Sequence, residues 1–127
     1  MPGALEFLAS LKDIPWGIVT SGSRPIALPR LKAGGIEPPE VFVTAEQISQ
    51  GKPHPEGFLE GARRLGLPPR EIIAFEDTLA GVRAAHAAGM QVVGISDETE
   101  QEANVRIRDY REVVIERSED IFLLKFK

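Results

Sequence analysis

Ile72-Ile73-Ala74-Phe75-Glu76-Asp77-Thr78, followed beyond an alanine-rich stretch by Gln91-Val92-Val93-Gly94-Ile95-Ser96, decides how this chain folds. Four apolar residues in a row and then two acids read as a strand covered on both faces that runs out into a polar loop. Residues 78–88 read as a helix, and Gly89 stands where such a helix would close. Residues 91–95 form a second buried run, ending at Ser96-Asp97-Glu98. A strand, a helix of this length and another buried strand imply a parallel βαβ unit, because the helix is the crossover that parallel strands require.

The same rhythm extends in both directions. Trp16-Gly17-Ile18-Val19-Thr20 is a short β-branched run entering the polar loop Ser21-Gly22-Ser23. Pro25 suits the first turn of the next helix, which Leu28 and Leu31 carry to Gly34-Gly35 with an irregular start at Pro29. Val41-Phe42-Val43-Thr44 is another strand. The stiff turn Gly51-Lys52-Pro53-His54-Pro55 then leads into a helix burying Phe58, Leu59, Ala62 and Leu65 and closed by Gly66. At the start, Leu5, Leu8 and Leu11 predict an amphipathic helix over 4–12, halted by Pro15. Residues 98–112 are strongly charged and predict a solvated helix, and residues 113–115 and 121–124 predict short strand-like segments. The expected fold class is α/β: a Rossmann-like, three-layer parallel sheet of about four to five strands flanked by helices, in one domain over residues 1–127.

Composition removes several functions. The chain has 127 residues, 43% hydrophobic and 27% charged, with a net charge of −4 and no cysteine. Thiol catalysis, disulfides and cysteine-ligated zinc are therefore excluded. The acidic balance and the lack of a basic face argue against a nucleic-acid partner. No apolar run approaches the length needed to span a membrane, and Met1-Pro2-Gly3 does not open a signal peptide, so a cytoplasmic location is expected. His54 and His86 have no metal-pair spacing.

Three polar clusters stand where strands of an open parallel sheet present ligand sites. Thr20-Ser21-Gly22-Ser23-Arg24 offers hydroxyls and N–H groups ahead of a helix, an anion site in form, although a serine there often does no more than cap the helix. Lys52 on its proline-stiffened turn is a compact charge suited to phosphate, although most lysines are simply solvated. Glu76 and Asp77 are adjacent acids that repel each other unless a cation shares the site, and magnesium takes such oxygen ligands. Their ordinary reading has Asp77 or Thr78 capping the helix while Glu76 faces its dipole. A hydroxyl loop, a lysine and an acidic pair on successive strand–helix units point together to phosphate chemistry.

This arrangement resembles the haloacid dehalogenase superfamily of phosphatases and phosphomutases. Val19-Thr20-Ser21-Gly22-Ser23 is similar to its second motif, Gly51-Lys52-Pro53-His54-Pro55-Glu56-Gly57-Phe58 to its third, and Phe75-Glu76-Asp77-Thr78-Leu79-Ala80-Gly81 to its fourth. Residues 82–90 continue in the style of the sugar-phosphate branch that includes β-phosphoglucomutase. The resemblance implies phosphate binding by Ser21, Gly22, Ser23 and Lys52. It also implies charge balance by Lys52, Mg2+ held near Glu76 and Asp77, and a small phosphorylated metabolite or phosphate as ligand.

The family's first motif is two aspartates one residue apart, one of them the nucleophile, and no Asp-x-Asp occurs in residues 1–127. Glu98/Glu100 and Glu119/Asp120 follow no suitable buried strand, and Asp97 reads as a loop cap. The resemblance therefore implies a core that starts after the first motif and the cap domain, is inactive alone, and binds Mg2+ weakly. A non-catalytic phosphate-binding or interaction module, as a dimer, is the alternative. In the family the first-motif strand lies between the strands ending at Thr20 and Phe75. Each unpaired buried backbone group costs about 1–3 kcal/mol, against a whole-domain stability of about 5–15 kcal/mol. An empty position there is thus expected to be repaired by direct pairing of the flanking strands, by residues 121–126, by a second copy, or by a partner's strand. The ordinary role for residues 121–126 is packing on a sheet edge or a helix.

Overall fold

A computed structural model describes residues 1–118 and 121–127; Glu119 and Asp120, one of the acidic pairs set aside above, lie outside the described residues. The order is α1 (Ala4–Ala9), β1 (Gly17–Val19), α2 (Arg24–Ala33), β2 (Val41–Val43), α3 (Glu56–Leu65), β3 (Ile73–Glu76), α4 (Leu79–Ala87), β4 (Gln91–Ile95), β5 (Val105–Ile107), β6 (Val113–Ser118) and β7 (Ile121–Phe126). Gly66 and Gly89 take positive φ at the ends of α3 and α4, the left-handed conformation that closes a helix at little cost to glycine.

Five strands are parallel, in two ladders. β1 pairs with β2 from Gly17↔Val41 to Val19↔Val43, and Thr20 N–H adds a bond to Val43 O at 3.0 Å. β3 pairs with β4, and β4 with β5. Successive residues of β4 point to opposite faces, so Val92 enters one core while Val93 and Ile95 enter the other. The first core joins Phe58 and Ala62 of α3 and Val82, Ala84 and Ala85 of α4 to Ala74 and Val92, with Val19 of β1 packed against it. The second joins Phe7 of α1 to Val93, Ile95, Ile107 and Val113, with Phe75, Tyr110, Ile115 and Leu124 alongside. α3 and α4 on one face and α1 with the terminal hairpin on the other give the expected three layers.

Two expectations change. Residues 98–112 are not a solvated helix: they hold β5 between two short 3-10 turns, Asp97–Thr99 and Tyr110–Glu112. Val105 and Arg106 mark β5 as an edge strand, with only Ile107 buried, so its charges face solvent while its main chain completes the ladder on β4. Residues 121–126 pair antiparallel with β6, from Val113↔Phe126 to Ser118↔Ile121. Among the described residues β1 and β3 are not paired with each other, and β7 pairs with neither. Neither within-chain repair of the sheet therefore occurs; the tail instead packs on the second core, its ordinary role.

Candidate active site

Lys52 links the ends of β1 and β3, which are not paired with each other. Its Nζ donates to Val19 O at 3.0 Å and to Glu76 Oε1 and Oε2 at 2.6 and 3.2 Å, and it lies 5.1 Å from the centre of the Phe58 ring. The turn that presents it is closed by His54 N–H bonding Gly51 O at 3.0 Å. The two side chains of the pair are 14% and 8% exposed, so the charges are shielded from water and act on each other strongly. Burial raises the Glu76 carboxyl above its ordinary value, the Lys52 ammonium opposes that shift, and the Asp77 charge adds to it. α4 starts directly over the carboxylate: a Cβ on Gly81 would lie 1.9 Å from Glu76 Oε1, so glycine is what lets the helix approach.

Ser21 and Lys52 share one cleft of about 230 Å³, with Thr20, Ser49 and Gly51 also on its walls. Gly22 N–H is taken up by Thr20 Oγ1 at 3.1 Å, and Gly22 O accepts Ala45 N–H at 3.0 Å. Ser23 is the N-cap of α2 without a side-chain cap bond. The structure thus brings Ser21 and Lys52 together, while Gly22 shapes the loop and Ser23 starts the helix. Thr20, from the hydroxyl loop read in the sequence, lines the cleft as well, and Ser49 is a cleft residue that sequence reasoning passed over. The signal for Ser49 was its place just before the lysine turn.

Glu76 is the last residue of β3 and Asp77 the first of the loop beyond it, and the two side chains have different surroundings. Glu76 points to the α4 side and Lys52; Asp77 is exposed, with its main-chain oxygen accepting Ser96 Oγ at 3.0 Å. The capping role falls to Thr78, whose Oγ1 accepts Gly81 N–H at 3.0 Å, and Glu98 accepts Leu79 N–H at 2.7 Å. Asp97 pairs with Arg106 at 3.3 Å. On the other face Tyr110 stacks on Phe75 with ring centres 5.6 Å apart. Burial first, then Asp77 and Glu76, push its hydroxyl up to about 12. Among the described residues no three His, Asp or Glu side chains gather into a closed metal cage. Magnesium commonly uses one or two carboxylates, completing its shell with water and substrate phosphate. Asp77 fits such a partial donor set, whereas the Glu76 carboxylate is engaged by Lys52.

Residues 1–89 match the family described as hydrolase: haloacid dehalogenase-like hydrolase. The chain belongs to this family. It is 49% identical over 98 residues to hexitol phosphatase A of Escherichia coli (strain K12), covering 76% of this chain and 45% of that protein. It is 39% identical over 106 residues to glycerol-1-phosphate phosphohydrolase 2 of Saccharomyces cerevisiae, covering 76% of this chain and 42% of that one. Among solved structures, β-phosphoglucomutase from Clostridium difficile superposes with a TM-score of 0.74 at 31% identity, covering 87% of this chain and 50% of its own. The haloacid dehalogenase-like chain thus spans half or less of the length of each of these relatives. No described helix is long and apolar enough to cross a membrane.

Proposed function

We propose that this haloacid dehalogenase-like chain carries the phosphate-binding side of a magnesium-dependent phosphomonoesterase site for small phosphosugars and polyol phosphates. The observation that carries the reading is Lys52, which ties the end of β1 to Glu76 on β3 beside Ser21. Ser21 Oγ donates to a phosphoryl oxygen. Lys52, held by Glu76, supplies positive charge at the cleft floor without adding net charge. Magnesium, if bound, would supply positive charge against the phosphoryl group, and Asp77 would hold it. Relatives named as phosphatases of hexitol phosphate and glycerol 1-phosphate support the substrate class.

The chain alone does not turn over. Removing a covalent nucleophile lowers turnover by about 10⁴- to 10⁶-fold, and phosphate monoesters are among the slowest substrates to hydrolyse unaided. No Asp-x-Asp occurs in the 127 residues. The partner in this reading is an extended strand bearing that motif, which adds to the ladder edges of β1 and β3.

The test combines calorimetric titration with phosphate and magnesium with an assay of a chromogenic phosphate ester, each with and without a peptide carrying an Asp-x-Asp strand. Phosphate binding without turnover, and turnover gained on adding the peptide, is the expected result. Turnover by the chain alone refutes the absence of a nucleophile. Binding that the peptide never converts into turnover favours a non-catalytic phosphate-binding module. No phosphate binding at all refutes the site.

A further inference from the structure

Lys52 has three N–H donors, and they face Val19 O and the two oxygens of Glu76. It therefore offers a ligand charge rather than a free hydrogen, and the oxygens of a phosphoryl group need donors from elsewhere in the cleft. Ser21 is one source. Ser49 lines the same cleft with Ile48, Gly51 and Lys52, in the segment between the 3-10 turn Ala45–Gln47 and α3.

That segment has no helix or ladder of its own, and a carboxylate fixes it instead. Glu56, in the first turn of α3, accepts Ser49 N–H through Oε2 at 2.7 Å and Gln50 N–H through Oε1 at 3.0 Å. The chain from Ser49 to Glu56 is thereby closed into a loop that contains Lys52. His54 N–H tightens it by donating to Gly51 O at 3.0 Å, and Glu56 N–H donates to His54 Nδ1 at 3.1 Å. Glu56 itself lines the neighbouring cleft, with His54, Glu60 and Arg63, so it acts on the phosphate cleft through the main chain it holds. With the Ser49 N–H taken by Glu56, the hydroxyl is the hydrogen donor that Ser49 has left, and the residue is exposed.

We propose that Ser49 is a second hydroxyl donor to the phosphoryl group, and that Glu56 is the positioning residue that sets it. The proposal rests on the phosphate-binding reading above. Loss of a hydrogen bond to a charged group weakens binding about tenfold. Without Glu56, Ser49 in place in about a tenth of molecules gives a loss of about fivefold, bounded by the loss of the hydroxyl itself. A carboxylate acting directly on the anion has the opposite sign, because its removal strengthens anion binding.

The experiment titrates the full chain with inorganic phosphate at fixed magnesium by calorimetry, for the wild type, Ser49→Ala, Glu56→Ala and the double variant. The single variants lose about tenfold and about fivefold. The double variant loses only about tenfold, since Glu56 then has no hydroxyl to position. Ser49→Thr keeps a hydroxyl and regains affinity that Ser49→Ala loses. Unchanged affinity in Ser49→Ala overturns the proposal. So do losses that multiply to about fiftyfold in the double variant, or tighter binding by Glu56→Ala. If Glu56→Ala does not fold, Glu56→Gln, which removes one of the two acceptor oxygens, completes the cycle. A wild type that binds no phosphate refutes the phosphate reading itself, and this proposal with it.

Discussion

Replacing Lys52 with methionine keeps an unbranched side chain one atom shorter and deletes the charge that faces Glu76. The carboxylate, 8% exposed and 2.6 Å from Nζ, then has no cation against it. An ionised, unpaired buried partner costs about 3–5 kcal/mol. A carboxyl can avoid that cost by taking up a proton. Starting from its ordinary value of 4.5, neutralisation at pH 7 costs about 1.4 kcal/mol per unit, or about 3.4 kcal/mol. The destabilisation of Lys52→Met is therefore capped near 3 kcal/mol at pH 7 and falls to about 1 kcal/mol at pH 5.

The sign follows from linkage. A folded-state carboxyl raised above its unfolded value makes the native state bind more protons, so stability falls as pH rises from 4.5 through the raised value. Burial sets that direction in the wild type, and removing Lys52 deletes the opposing contribution, so the variant shows the steeper loss. Urea unfolding of both proteins at pH 5, 6, 7 and 8 measures it. A loss equal at pH 5 and pH 7 refutes the reasoning, as does a loss under about 1 kcal/mol at pH 7. Adding Glu76→Gln to Lys52→Met should recover part of the stability at pH 7 and flatten the pH dependence.

Gly81→Ala separates local propensity from tertiary contact. Alanine favours an exposed helix by about 1 kcal/mol, but here its Cβ would meet Glu76 Oε1 at 1.9 Å. Net destabilisation of about 1–3 kcal/mol together with weakened phosphate binding is expected; a gain in thermal stability would contradict the contact. Thr78→Ala removes the cap on α4, whose Oγ1 accepts Gly81 N–H at 3.0 Å, and should cost about 1 kcal/mol in denaturant unfolding. Ser21→Ala leaves the fold intact, since Ser21 is exposed, and reduces phosphate affinity about tenfold by calorimetry, as loss of a hydrogen bond to a charged group does. Unchanged affinity would remove Ser21 from the site.

Much of the fold was legible because its signals are local. The continuous apolar runs at β3 and β4, the glycines that close α3 and α4, and the prolines around Lys52 each act within a few residues of themselves. The site was legible as a set of residue types for the same reason: each polar cluster directly follows a strand or opens the next helix. β5 was not legible. It is three residues long, Val105–Ile107, inside a charged stretch, and its ladder with β4 pairs Val93 with Val105 and Ile95 with Ile107. Hydrogen bonds between main chains leave little mark on side-chain pattern when only one residue of a strand is buried.

By itself, then, the sequence determined the alternation of strands and helices, the parallel architecture and the residue types available to a phosphate. Only the tertiary structure decided their partnerships. Glu76 and Asp77 are adjacent in the chain and equal in charge, yet one ends β3 and the other begins the loop beyond it. One is paired with a lysine 24 residues away and the other is left exposed. Glu46 and Glu56 gave no sign in the sequence of binding main chain until Arg24, Ser49 and Gln50 came round to donate to them. Residues 121–126 could have joined any open ladder by composition, and they chose β6 because a hairpin partner is nearest along the chain.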